Sequence, residues 1–181
     1  GMEHLQKADL VFMKMRFREL PDDQMKYFEE YLQSGKPIVA LRTSTHPFNY
    51  SRNKESVYAR YSFNSKIKNW EGGFGKIVLG ETWVAHHGKH GSEGTRGLIN
   101  GLSSGHPILK GVKDIWGPTD VYTVNSLDAN TNILLYGQTT LGMTPEAPLS
   151  YEKSIMPVAW IKSYLGEKGK TSRIFATTMG A

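Results

Sequence analysis

Three histidines fall within five residues in the stretch "VAHHGKHGSEGTRG": His86, His87 and His90, with Glu81 upstream and Glu93 downstream. Neutral imidazoles ligate zinc and related ions well, and a carboxylate such as Glu81 or Glu93 would complete a tetrahedral set. The cluster is therefore a candidate site for a divalent metal such as zinc. His86 and His90 are four apart and share a face only on a helix, which the interleaved glycines oppose. The metalloprotease pattern H-E-x-x-H also fails, because His87 stands where that pattern needs Glu. An exposed, glycine-rich loop accounts for the same residues without any ion.

A second concentration of reactive groups is "ALRTSTHPFNY", which follows the apolar run "KPIVA" and holds Thr43, Ser44, Thr45 and His46. Ligands of open α/β sheets bind beyond the carboxyl ends of the strands, so a polar turn there is a candidate site. A serine nucleophile on such a turn needs the small flanking residues of G-x-S-x-G, whereas Ser44 stands between two threonines. His46, with Thr45 beside it, is the candidate acid–base group, set against the reading of a lone hydrogen-bonded histidine. Arg16, Arg18 and Arg42 lie at or just beyond the ends of two strands and would offer guanidinium donors to an anion or a sugar. They would equally pair with local carboxylates. Asp120 and Tyr122 in "TDVY" are further binding candidates, although an Asp opening a strand often only shapes a turn. "GGFGKIVLG" is not a dinucleotide fingerprint, since Val78 takes the third glycine's place and no apolar strand precedes it.

These residues need elements to hold them. "ADLVFMKM" (8–15) alternates as a strand does. "LPDDQMKYFEEYLQSGKP" follows as a helix: Pro21, Asp22 and Asp23 suit its first turn, and Gly35 and Pro37 stop it. Met25, Phe28, Tyr31 and Leu32 share one face, at the spacing needed for packing on a sheet. "KPIVALR" is the second strand, which makes a parallel βαβ unit. From 43 to 118 glycines, serines and histidines interrupt every period, and "KESVYARYSF" and "GGFGKIVLG" read as short helices. Four strand candidates come after it: "DVYTV", "NILLYG", "MPVAWIKSY" and "SRIFATT".

At 181 residues, with 39% hydrophobic and 22% charged residues, the chain has the size and apolar content of one globular domain, taken here as 2–181. Gly1 ahead of Met2 reads as the scar of a cleaved tag. The absence of cysteine removes disulfides, thiolate metal sites and thiol catalysis. A net charge of +5 is spread among 17 acidic residues rather than gathered into a basic face, so no nucleic-acid partner is expected. No apolar run approaches the roughly 18 residues of a membrane span, and the start "GMEHLQKADL" has no signal-peptide core, which favours a soluble, cytoplasmic chain.

The ordered segments "GKPIVALRTSTHPFNY", "WEGGFG", "GHPILKGV", "GPTDVYTV", "MPVAWIKSY" and "SRIFATTMGA" resemble the ThuA-like, or trehalose-utilisation, family. That family lies in the class I glutamine amidotransferase-like superfamily. The resemblance implies a three-layer, flavodoxin-like α/β fold with a largely parallel sheet, here followed by a β-rich C-terminal half. It places the turn of Thr43 and His46 where true amidotransferases carry a cysteine, so thioester chemistry is lost while the turn's location is kept. A carbohydrate ligand follows, a sugar or keto-sugar of the trehalose type, with His46 and Thr45 as catalytic residues. Arg16, Arg18, Arg42, Asp120 and Tyr122 would bind the substrate. The alternative is a non-catalytic sugar-binding or interaction module. The family's first strand and closing helix have no counterpart here, and the edge and apolar face they would cover predict a homo-oligomer.

Overall fold

The computed structural model describes residues 1–180. Strand β1 (Val11–Met13), helix α1 (Asp22–Leu32) and strand β2 (Ile38–Leu41) form the expected unit, with β1 and β2 parallel and Val11 opposite Ile38. The helix starts at Pro21, whose missing N–H loses nothing at a helix entry, and carries Asp22 and Asp23 at the positive end of its dipole. Met25, Phe28, Tyr31 and Leu32 are its buried residues. Gly35, at φ 81, carries the chain out of the helix in a left-handed conformation that a side chain would resist.

Five more strands follow: β3 (Thr95–Ile99), β4 (Trp116–Gly117), β5 (Asn132–Thr139), β6 (Met156–Leu165) and β7 (Thr171–Thr177). All seven make one sheet in the order β1-β2-β7-β6-β5-β3-β4. "NILLYG", "MPVAWIKSY" and "SRIFATT" are thus strands, as their patterns require.

The expected largely parallel sheet of a three-layer flavodoxin-like fold is not what forms. Only β1–β2 and β2–β7 pair in parallel, and the other four pairings are antiparallel. Parallel neighbours need a long crossover, usually a helix, and α1 is the one α-helix among the described residues. The five residues 166–170 between β6 and β7 leave room only for a hairpin, which closes with Gly166 N–H donating to the Lys170 carbonyl at 2.9 Å. Burial alternates along β7, with Ser172, Ile174 and Ala176 inward. Phe175, between them, packs against a second apolar cluster that includes Leu109, Val121, Leu134 and Ala159, while Ile174 and Ala176 point to the face that packs on α1.

The core of that face joins α1 to the sheet through Ile38, Ala40, Ile174, Ala176 and Trp160. The irregular segment after β2 supplies much of the rest. Phe48, Tyr61 and Phe74 are fully buried, and Phe28 meets Phe48 and Phe74 with ring centroids 5.2 and 5.4 Å apart. Each such ring contributes roughly 2–3 kcal/mol by leaving water. The two short helices expected in this segment are a 3-10 turn at Val57–Tyr61 and a π-turn at Gly75–Leu79. Gly75 is required by close approach: a Cβ there would stand 2.0 Å from the Thr45 carbonyl oxygen. "DVYTV" does not join the sheet. Its Tyr122 makes an isolated antiparallel bridge with His86, fastening the histidine loop to residues 120–124.

Candidate functional site

β2 delivers the chain to a sharp corner at Arg42, whose φ is 44. A non-glycine residue in the left-handed region costs about 1–2 kcal/mol, so the surroundings must hold it there. Phe17, just beyond the end of β1, is likewise left-handed at φ 48. The two corners are tied together by Ser44, whose hydroxyl donates to the Met13 carbonyl at 3.0 Å and accepts the Met15 N–H at 3.2 Å. Between them opens a cleft of about 330 Å³, lined by residues that include Lys14, Arg16, Phe17, Arg42, Thr43, His46, Trp83, His86, His90 and Tyr122.

Behind the cleft-lining Arg42, His86 and His90 lies Asp120, fully buried. Its Oδ1 accepts from Arg42 Nη2 at 2.8 Å and pairs with His90 Nδ1 at 2.9 Å, while Oδ2 pairs with His86 Nδ1 at 2.6 Å. Burial alone would raise this carboxyl's pKa. The hydrogen bonds from His90 and His86 and the charge of Arg42 outweigh it and hold the pKa below the usual value. Arg42 is itself buried, with Nη1 donating to the carbonyls of Asp120 and Thr178 and the guanidinium 3.7 Å over the ring of Tyr122. Three of the five guanidinium donors are thus held by the protein, so Arg42 positions Asp120 while still lining the cleft.

The histidine loop reaches Asp120 without being a helix. His87 and Gly88 donate their N–H groups to the Val121 carbonyl at 2.9 and 3.0 Å, and Thr123 donates to Ala85. Gly88 rides against Asp120, where an added Cβ would stand 2.9 Å from the Asp120 Cβ. The chain so wraps the carboxylate that His86 and His90 approach it from two sides, with ring centroids 4.8 Å apart. His86, His90 and Asp120 offer ligand atoms within 4.8 Å of one another and could hold a metal ion.

His46 is 2% exposed, among the rings of Phe17, Trp83 and Tyr122 at centroid distances of 4.8, 5.5 and 6.0 Å. Burial, then the neighbouring Arg16, Arg42 and His86, push its pKa down to about 4, so it is neutral at pH 7. The Thr45 hydroxyl donates to the Arg42 carbonyl at 3.3 Å and therefore accepts from His46 Nδ1 at 3.2 Å. That tautomer leaves a lone pair on Nε2, which has no hydrogen-bond partner among the described residues. The arrangement is that of a neutral base lining a cleft, with Thr45 setting its tautomer rather than attacking a substrate.

Several expected site residues lie elsewhere. His87 turns away to the Ser154 carbonyl at 2.8 Å. Glu81 is buried and accepts the N–H groups of Thr82, Asn125 and Ser126, and Glu93 pairs with Lys153 at 2.6 Å, so neither carboxylate completes a metal set. Arg18 lines a separate surface pocket with Glu19 and Arg52. Arg16 does line the cleft and makes no salt bridge among the described residues. Lys14, Phe17 and Trp83 went unread. The one available signal was the position of Lys14 and Phe17 beside the end of the first strand.

No family model matches the chain, and no curated protein matches it in sequence. Among solved structures it is similar to a ThuA-like protein from Bacteroides uniformis, at TM-score 0.57 and 13% identity over 99% of this chain. It is also similar to one from Parabacteroides merdae, at TM-score 0.54 and 16% identity, again over 99%. The likeness is one of fold. This chain spans 62% and 64% of the lengths of those two proteins. Among the described residues no helix is long and apolar enough to cross a membrane.

Proposed function

We propose that the chain is a ThuA-like domain of the class I glutamine amidotransferase-like superfamily that acts on a sugar or keto-sugar of the trehalose type by acid–base chemistry. The observation that carries this reading is the buried, neutral His46, with a free Nε2, sharing a cleft with Arg16, His86 and His90. His46 is the base that takes a proton from a hydroxyl or from a carbon beside a carbonyl. Arg16 and Lys14 orient oxygen atoms of the ligand, and the faces of Trp83, Tyr122 and Phe17 receive the apolar side of a sugar ring. The group of His86, His90 and Asp120 is the place for zinc or a similar ion, which would polarise a ligand oxygen. Thiol amidotransferase chemistry has no residue to perform it, because the chain contains no cysteine.

One observation favours a second reading, a binding module without turnover. The Ser44 and Thr45 hydroxyls both donate to backbone carbonyls, and the Thr43 hydroxyl, which lines the cleft, has no hydrogen-bonded base among the described residues to activate it. A panel of disaccharides and their keto derivatives, assayed for product and for thermal shift, decides between the two. Turnover of a keto-sugar that is lost in His46→Asn supports the enzyme. Stabilisation without product supports the module, and neither effect with any sugar refutes both. We further propose self-association through the free edge of β1, where Leu10 and Phe12 are exposed. Light scattering that finds only monomer at high concentration would refute it.

A further inference from the structure

Building on that reading of the cleft, we propose that His86 and His90 hold a divalent transition ion through their Nε2 atoms, with Asp120 as the buried carboxylate that orients both rings without touching the ion. A set of two histidines and an aspartate ordinarily invites the opposite assignment, in which the carboxylate is a ligand. Three facts oppose that here. Asp120 has no exposed surface, while the side chains of His86 and His90 are 38% and 69% exposed and line the cleft. Both Asp120 oxygens are already engaged, by three donors on three residues. Paired with the Arg42 guanidinium, Asp120 is ionised and only accepts, so each neutral imidazole in contact with it carries its proton on Nδ1.

The consequence is geometrical. A proton on Nδ1 puts the lone pair on Nε2, and metal binding needs that lone pair. One carboxylate thus fixes the same tautomer on two rings, as the outer carboxylates of zinc sites do for single histidines. Zinc–nitrogen bonds of about 2.0–2.1 Å in a tetrahedral set place two such nitrogens about 3.3 Å apart. The more exposed His90 is the ring free to swing into that position. Two protein ligands leave coordination positions open toward the cleft, which is the pattern of a reactive rather than a structural ion. The loop achieves this without a helix because Gly88 packs directly on Asp120, bringing residues 86 and 90 to one carboxylate.

The test uses the full chain, freed of metal by chelation, with zinc chloride as the probe. Calorimetry should find one equivalent bound, and His86→Ala or His90→Ala should each abolish saturable binding. Long-range proton–nitrogen NMR on the wild type should find Nδ1 protonated in both rings before zinc, and zinc should move the Nε2 resonances of both. Asp120→Asn, if it folds by circular dichroism, should weaken zinc about 10- to 100-fold without abolishing it. If it does not fold, the NMR assignment decides. Absence of saturable zinc binding, or zinc perturbing Nδ1 instead of Nε2, overturns the proposal. Zinc bound as described with no keto-sugar turned over upholds the metal site and refutes the catalytic reading. Turnover that persists in metal-free His86→Ala with His90→Ala upholds His46 as the base and refutes a catalytic role for the ion, while calorimetry on the wild type still decides the metal site.

Discussion

His46 makes the site's electrostatics measurable through stability. Its pKa falls from an ordinary 6.5 to about 4 in the folded chain, because burial and three neighbouring groups oppose its charge. The unfolded chain therefore binds the proton first as pH falls. Folding stability should be unaffected by this group above about pH 7, should decline as pH drops from 6.5 to 4, and should lose nothing further below that. A displacement of about 2.5 pH units corresponds to about 3 kcal/mol at 1.36 kcal/mol per unit. The reference is His46→Asn, which keeps a donor for Thr45 but cannot titrate. Urea denaturation of both proteins between pH 4 and 7.5 yields two stability curves, and their difference removes every other titrating group. The variant's deficit at pH 7 should shrink by about 3 kcal/mol toward pH 4. A flat difference, or a His46 ring proton titrating near 6.5 by NMR, would refute the burial argument and with it the assignment of a neutral base.

Arg42→Ala should destabilise by about 3–5 kcal/mol, since it leaves Asp120 buried and unpaired. Arg42→Gly should be about 1 kcal/mol less damaging than the alanine variant, because glycine accepts φ 44 freely; denaturant titration of the pair checks both numbers. Gly75→Ala, whose Cβ would meet the Thr45 carbonyl at 2.0 Å, should cost about 1–3 kcal/mol and shift the His46 NMR signals. Gly88→Ala should instead disturb the His86 and His90 signals and leave His46 in place, a contrast that a two-dimensional spectrum of each variant reads directly.

The elements that sequence reading recovered were those with an internal period. Met25, Phe28, Tyr31 and Leu32 declare α1 whatever surrounds it, and the alternation in "SRIFATT" declares β7. Strand direction has no such signature. A period of two is the same in either orientation, so only the connections could have revealed the antiparallel half. β3 was hidden because "TRGLI" sits among glycines that look like loop. The fate of "DVYTV" has a related cause: Asp120, Val121 and Tyr122 are buried in succession rather than alternately, and the segment pairs with a loop instead of the sheet. Of the site, His46, Arg16, His86, His90 and Tyr122 were legible as residue types and do share the cleft, with Asp120 buried behind His86 and His90. What could not be read was the division of labour, because Asp120 meets His86 across 34 residues and Arg42 across 78.

That division explains why an arginine occupies the left-handed corner at all. Glycine would relieve the backbone at φ 44, but it would leave the Asp120 carboxylate without a counter-charge behind the cleft. A buried carboxylate in that state would take up a proton, and a protonated Asp120 would donate where it now accepts. The imidazoles would then lose the partner that fixes their tautomer. Strain at Arg42, ionisation of Asp120 and presentation of the His86 and His90 Nε2 atoms are therefore successive links of one dependence. Each is unfavourable or undefined without the one before it. A strained residue beside a cleft is a hint of function in general. In this chain the strain has an identifiable return, because the same corner that twists the backbone at Arg42 also sends its guanidinium inward to Asp120 and carries the next turn on to His46.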